Sequence, residues 1–177
     1  MKFLKFLLII IVVLVAIFFI GGLFLPKSYS VSRSTIIKAP DSVVYKNISD
    51  FHQFLKWNPW TQKEPSAKVE ISGTVGQPGH LYKWHGKDSG EGFMEIKSAQ
   101  PFSMIDFQLN FIKPWESQAE NSFALEKVDE GTKVTWNMQG EARSTKEKWL
   151  FLNTDMMIGK DFEDGLSNLK ELSEKGY

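Results

Sequence analysis

The sequence predicts an α+β protein: an N-terminal transmembrane helix, then a curved seven-stranded antiparallel sheet packed around one long C-terminal helix. Three observations carry that reading. Twenty consecutive residues, Phe6 to Leu25, have no charge and no hydrogen-bonding side chain. From Ala67 to Ala142 apolar and polar residues alternate, with short Gly- or Pro-containing breaks. From Asp155 to Lys175 the period becomes helical, placing Ile158, Phe162, Leu166, Leu169 and Leu172 on one stripe.

As a helix the apolar run is ~30 Å long at ~1.5 Å per residue, which matches the hydrocarbon core of a bilayer. Lys2 and Lys5 would also suit the n-region of a signal peptide. However, the run exceeds the usual ~7–15 apolar residues, and its exit, Gly22-Leu23-Phe24-Leu25-Pro26, offers no small-x-small cleavage site. Residues 1–25 are therefore expected to be an uncleaved signal anchor and residues 26–177 one soluble, monomeric domain. Lys2 and Lys5 before the run nearly balance Lys27, Arg33 and Lys38 after it. The short N-terminal stub favours an N-inside start, which puts the domain outside the cytoplasm.

The remaining elements follow in order. Ser28 to Ala39 reads as a first strand, dense in β-branched residues at Val31, Thr35, Ile36 and Ile37. Pro40-Asp41 ends it, and Asp41 can cap a short helix with Val44, Ile48 and Phe51 on one face. A second short helix, Asp50 to Trp57, stops at Asn58-Pro59. Six strands are expected at Lys68–Val75, Leu81–Gly86, Glu91–Ala99, Met104–Ile112, Glu116–Val128 and Thr132–Glu141. Their short breaks imply an antiparallel meander. A polar interval precedes the long helix, for which Gly176 would serve as the C-cap.

The composition narrows the function classes. Beyond the apolar run the chain carries 19 basic and 21 acidic residues with no basic cluster, which argues against a nucleic-acid partner. The absence of Cys excludes disulfides and thiol catalysis. All six Trp lie beyond the run. One strand face collects Met94, Ile96, Ile105, Phe107, Leu109, Phe111, Phe123, Leu125, Val134, Trp136 and Met138. The other collects Glu95, Lys97, Asp106, Gln108, Asn110, Glu126, Thr135, Asn137 and Gln139, so one side is buried and the other wet. The apolar face must meet the C-terminal helix. Either a filled core or a ligand cavity between them satisfies the pattern.

Several stretches stand out, in this order: Ser32-Arg33-Ser34, Ile37-Lys38-Ala39-Pro40, Val44-Tyr45, Trp57-Asn58-Pro59-Trp60 and Trp84-His85-Gly86. Further on come Gly90-Glu91-Gly92-Phe93-Met94-Glu95-Ile96, Gly131-Thr132-Lys133-Val134-Thr135-Trp136, and Gly159-Lys160-Asp161-Phe162-Glu163 leading to Gly165-Leu166. Together they resemble the START-like or SRPBCC helix-grip superfamily, one branch of which is called polyketide cyclase/dehydrase and lipid transport. The resemblance implies an apolar cavity between sheet and long helix. It transfers no activity, because the superfamily hosts carriers, receptors, cyclases and co-chaperone relatives.

Candidate chemistry is sparse. His52, His80 and His85 have no metal-like spacing and are expected to be exposed or capping; neither a metal nor a cofactor is expected. No nucleophile elbow occurs, and Gly90-Glu91-Gly92 opens a strand rather than a phosphate-binding helix. The inward face offers only Tyr82, Asn121 and Thr132 as polar groups, and no catalytic residue is assigned. Asn121 would either hold a ligand head group or satisfy a neighbouring strand backbone. The expected cavity lining is Tyr82, Trp84, Met94, Ile96, Phe107, Leu109, Phe111, Asn121, Phe123, Leu125, Trp136, Met138 and Phe162. These residues suit binding or transport of a hydrophobic small molecule or lipid. The alternatives are a cyclase- or hydratase-type enzyme using Tyr82 or a loop residue, and a co-chaperone-like interaction module. Trp57, Trp60, Trp115, Trp149 and Phe151 are expected in loops at the end of the sheet where the anchor joins, facing the membrane.

Overall fold

The computed structural model describes residues 2–175. Its elements are α1 (Lys2–Phe24), β1 (Ser28–Ile37), α2 (Asp41–Ser49), α3 (Phe51–Trp57), α4 (Pro59–Lys63), β2 (Lys68–Ser72) and β3 (Leu81–His85). They continue with β4 (Glu91–Gln100), β5 (Met104–Lys113), β6 (Ser117–Val128), β7 (Gly131–Glu141), α5 (Thr145–Phe151) and α6 (Thr154–Lys175). The strands form one curved antiparallel sheet in the order β1-β7-β6-β5-β4-β3-β2. β1 closes the meander against β7, from Ser28↔Glu141 to Ile37↔Thr132. The sheet wraps α6, as the alternation and the helical stripe predict. Among the described residues α1 is the one helix long and apolar enough to cross a membrane.

Helix α6 is fixed to β1 at both ends. The Arg33 guanidinium donates to both oxygens of Asp155 and to Glu163, while Glu174 accepts from the Lys38 amide. Those pairs hold the Asp155 carboxyl below its ordinary range and Arg33 above its own, chiefly through their mutual hydrogen bonds. Asp155 also sits in the first turn of α6, where the helix dipole favours an anion.

Two helices lie where the sequence reading has only a stop and a polar interval. Asn58 does not merely end α3: its side chain accepts from Trp60 N, and Pro59 occupies the first turn of α4, where a missing N–H costs nothing. Ser144 caps α5 by accepting from Glu147 N, and the Glu147 carboxylate reaches back to Arg143 N. β2 ends at Ser72, short of the expected Val75, because Gly73 adopts a left-handed φ of 84°. Asn110, expected on the wet face, is covered, beside the register shift where β4 passes Gly92. The C-cap expected at Gly176 lies outside the described residues.

Candidate functional site

We call the end of β7 at Glu141 the upper end of the sheet. The lower and middle parts of the concave face are filled by aromatic rings. Trp136 stacks on Phe162 at 4.0 Å between centroids and on Phe123 at 4.9 Å, and Phe123 meets Phe107 edge-on. Ten of the thirteen expected lining residues lie in this packed interior: Tyr82, Met94, Ile96, Phe107, Asn121, Phe123, Leu125, Trp136, Met138 and Phe162. The other three, Trp84, Leu109 and Phe111, stay half-open near the upper end. Tyr29, Phe151 and Ile158, unremarked as lining residues in the sequence, are half-buried at the same end. Tyr29 and Phe151 meet at 4.6 Å. The concave face is thus a packed floor beneath an apolar, half-open rim.

Two of the three polar groups expected inside, Asn121 and Thr132, are engaged by hydrogen bonds. The Asn121 Oδ1 accepts from Trp136 Nε1 at 2.6 Å, a side-chain partner in place of the strand backbone, because a buried indole N–H needs a partner. Thr132 donates to the Ala39 carbonyl at 2.8 Å. Burial raises the Tyr82 hydroxyl above its ordinary pKa.

His80 corrects the expectation of three exposed or capping histidines in one respect. It is only 1% exposed, stacked on Phe51 at 4.7 Å. Nε2 accepts from Phe51 N at the start of α3 and Nδ1 meets the Ser72 carbonyl at 3.0 Å, which assigns the Nδ1–H tautomer. It caps as expected, but from inside the core, tying α3 to the β2–β3 connection. His52 and His85 are exposed, beside Asp50 and Glu91 respectively.

Sequence reasoning also missed Glu64. Its buried carboxylate accepts from the amides of Lys87, Asp88 and Ser89, at 2.6, 3.1 and 2.8 Å. Hydrogen bonds to Ser89, then to Asp88, hold it down to about 2 against desolvation, so it is an anion that pins the β3–β4 loop to the rim. Among the described residues no group of His, Cys, Asp or Glu side chains is placed to hold a metal ion.

The loops at the upper end separate the expected membrane-facing residues. Trp57 is not among them: it is fully buried, with Nε1 donating to the Asn47 carbonyl. Trp60 is half-buried and edge-on to Trp136 and Phe162, closing the core from above. Trp115, 56% exposed, stands outside on the β5–β6 turn beside Ile112. Trp149 stacks on Phe18 of α1, and its Nε1 donates to the Phe18 carbonyl at 3.0 Å. Gly21 and Gly22 admit this contact, since a Cβ on either would lie within 3 Å of Trp149 or Thr145. Lys148 adds a hydrogen bond to the Gly22 carbonyl. Beside this junction Leu150, Leu152, Met156 and Met157 are exposed.

A seven-stranded antiparallel sheet around a C-terminal helix, with an apolar interior, now meets its relatives. The family model for polyketide cyclase / dehydrase and lipid transport proteins matches residues 28–174. The chain belongs to this family. Membership of the polyketide cyclase / dehydrase and lipid transport family places it in the START-like helix-grip superfamily and supports hydrophobic-ligand binding at the level of the family. Solved structures share the fold at low identity. An uncharacterized protein from Rhizobium leguminosarum is 15% identical, with TM-score 0.62, over 84% of this chain and 95% of that one. The Aha1 dimer from Colwellia psychrerythraea is 23% identical, with TM-score 0.55, over 82% and 96%. The di-domain ARO/CYC StfQ of the steffimycin pathway is 8% identical, with TM-score 0.60, over 84% and 51%. No curated protein matches the chain.

Proposed function

We propose that the chain is a membrane-tethered monomer that binds and hands over a hydrophobic small molecule or lipid, admitted through the upper rim. One observation carries this reading. Trp84, Leu109, Phe111, Tyr29, Phe151 and Ile158 are half-buried apolar side chains above the packed floor, at the same end as α1 and the exposed Trp115, Leu152, Met156 and Met157. Apolar surface left open at the mouth of a fold invites an apolar occupant. Glu64 and His80 are both engaged in structural hydrogen bonds, which leaves the buried Tyr82 hydroxyl as the candidate acid for the cyclase-type alternative.

The test is native mass spectrometry of the full-length protein for co-purifying lipid, in the wild type and in Leu109→Trp. Leu109 is the position of choice because its side chain is half-open, whereas Leu125 is buried in the floor and a Trp there would overpack the core. Leu109→Trp is expected to lose the bound molecule and stay folded, and Tyr82→Phe to retain it. Turnover abolished by Tyr82→Phe but kept in Leu109→Trp would replace binding with catalysis.

A further inference from the structure

The sheet is not continuous at its upper end. β6 stays with β5 up to Ser117↔Phe111, and β7 stays with β1 up to Ser28↔Glu141. β6 and β7, however, pair only from Glu120↔Gln139 downward. Above that rung the two neighbours part and leave a window through the sheet. Its lower edge is the Gln139 Nε2 to Glu120 Oε2 hydrogen bond at 2.7 Å. Its upper edge is Arg143, whose guanidinium donates to the Glu116 carbonyl. A cleft of about 710 Å³ occupies the gap.

The two faces of the window differ in chemistry. Toward the outer side stand amides, hydroxyls and carboxylates, among them Ser30, Gln108, Gln118, Glu120 and Glu141. Behind it stands Tyr29. A Cβ on Gly140 would lie 2.7 Å from the Tyr29 ring, so the ring fills the space that a side chain at 140 would take. That ring also meets Phe151 of the apolar rim. Tyr29 therefore stands between a polar window and the apolar mouth of the cup. The window also lies at the exit of α1, because the Ala142 amide donates to the Lys27 carbonyl.

We propose that this window is the head-group site for the molecule whose tail enters the cup, and that the head is polyhydroxylated, making the ligand a sugar-bearing lipid. The proposal rests on the carrier reading above. Amides and hydroxyls offer donors and acceptors in mixture, and carboxylates accept from hydroxyl groups, which suits a ring of hydroxyls. The Tyr29 ring gives the apolar face of a sugar a flat surface. A phosphate head fits poorly: it would meet Glu120 and Glu141, and the one guanidinium present already serves the Glu116 carbonyl.

The experiment uses full-length protein in phosphatidylcholine nanodiscs doped equally with monoglucosyl diacylglycerol and phosphatidic acid of the same acyl chains. Native mass spectrometry counts the adducts of each, and lipids merely surrounding α1 are common to every variant. The wild type is expected to carry the glucosyl lipid over the acid by at least about tenfold. Gln118→Trp, an exposed position that fills the window, is expected to abolish that preference while total adduct persists. Leu109→Trp is expected to lose both adducts down to that common background. Near-UV circular dichroism checks that both variants are folded. Equal binding of the two lipids by the wild type, or a preference that survives Gln118→Trp, overturns the head-group site and leaves the carrier reading standing. No adduct in the wild type, or adducts unaffected by Leu109→Trp, overturns the carrier reading and the window with it.

Discussion

Trp136 of β7 and Phe162 of α6 lie ring over ring, their planes 14° apart and both side chains fully buried. This stack joins helix to sheet in the floor of the cup. Phe162→Ala is expected to cost about 3–5 kcal/mol in urea unfolding, since a buried ring is lost and its neighbours cannot collapse into the hole. Leu109→Ala, at the half-open rim, is expected to cost less than about 2 kcal/mol. Equal costs would mean that floor and rim are packed alike.

Glu64 makes stability depend on pH. Its folded pKa of about 2 lies below the ordinary carboxylate value. A depressed folded pKa stabilises the fold in full above the unfolded value, and that contribution is lost as pH falls through the folded one. The melting temperature of the wild type is therefore expected to exceed that of Glu64→Gln by a constant margin above about pH 5. The margin should shrink steadily toward about pH 2. Other carboxylates that are also lowered, such as Glu91 and Asp155, occur in both proteins and cancel in the difference. A margin independent of pH would mean that the loop contact does not need the charge.

The strands and α6 were legible because each alternates or repeats over many residues, and burial on one face is what that pattern encodes. The signals for α4 and α5 were present too: Asn58 followed by Pro59, and Ser144 followed by Glu147, are both helix starts. Each was overlooked because the helix that follows is only 5 or 7 residues long and has no full apolar stripe. Trp57 looked like a loop residue because it precedes the Asn-Pro stop. It closes α3 with its indole turned into the core, which only the path of α2 and α3 across the sheet decides. The window between β6 and β7 has no local signature, since strand divergence depends on three pairings at once.

His80 gives a sharper test of that burial. His80→Ala leaves the Phe51 amide and the Ser72 carbonyl without their partner and removes a ring stacked on Phe51. A loss of about 1–3 kcal/mol is expected in chemical denaturation, because unpaired buried polar groups carry the full desolvation cost. His52→Ala and His85→Ala, at exposed sites, are expected to stay within about 0.5 kcal/mol of wild type. Similar effects at all three positions would place His80 at the surface.

Orientation toward the bilayer is the remaining consequence of the upper end. Trp115 and Leu152 project outward there, and Trp149 fastens α5 to α1 through Phe18. Asp129 lies in the β6–β7 turn at the opposite end. The 12 residues of β6 span about 40 Å at about 3.3 Å per residue, well beyond the depth of a lipid interface. The chain has no Cys, so single cysteines carrying a fluorophore can be placed at 115, 152 and 129 in the full-length protein. Position 149 is avoided because its indole is engaged with α1. In reconstituted vesicles, lipid-borne quenchers are expected to reduce emission at 115 and 152 and leave 129 unchanged. If Trp115 and Leu152 merely shielded the core, none of the three labels would respond. Equal quenching at all three would lay the sheet flat on the membrane. Either result removes direct passage of ligand between bilayer and cup, because the rim would then open to water.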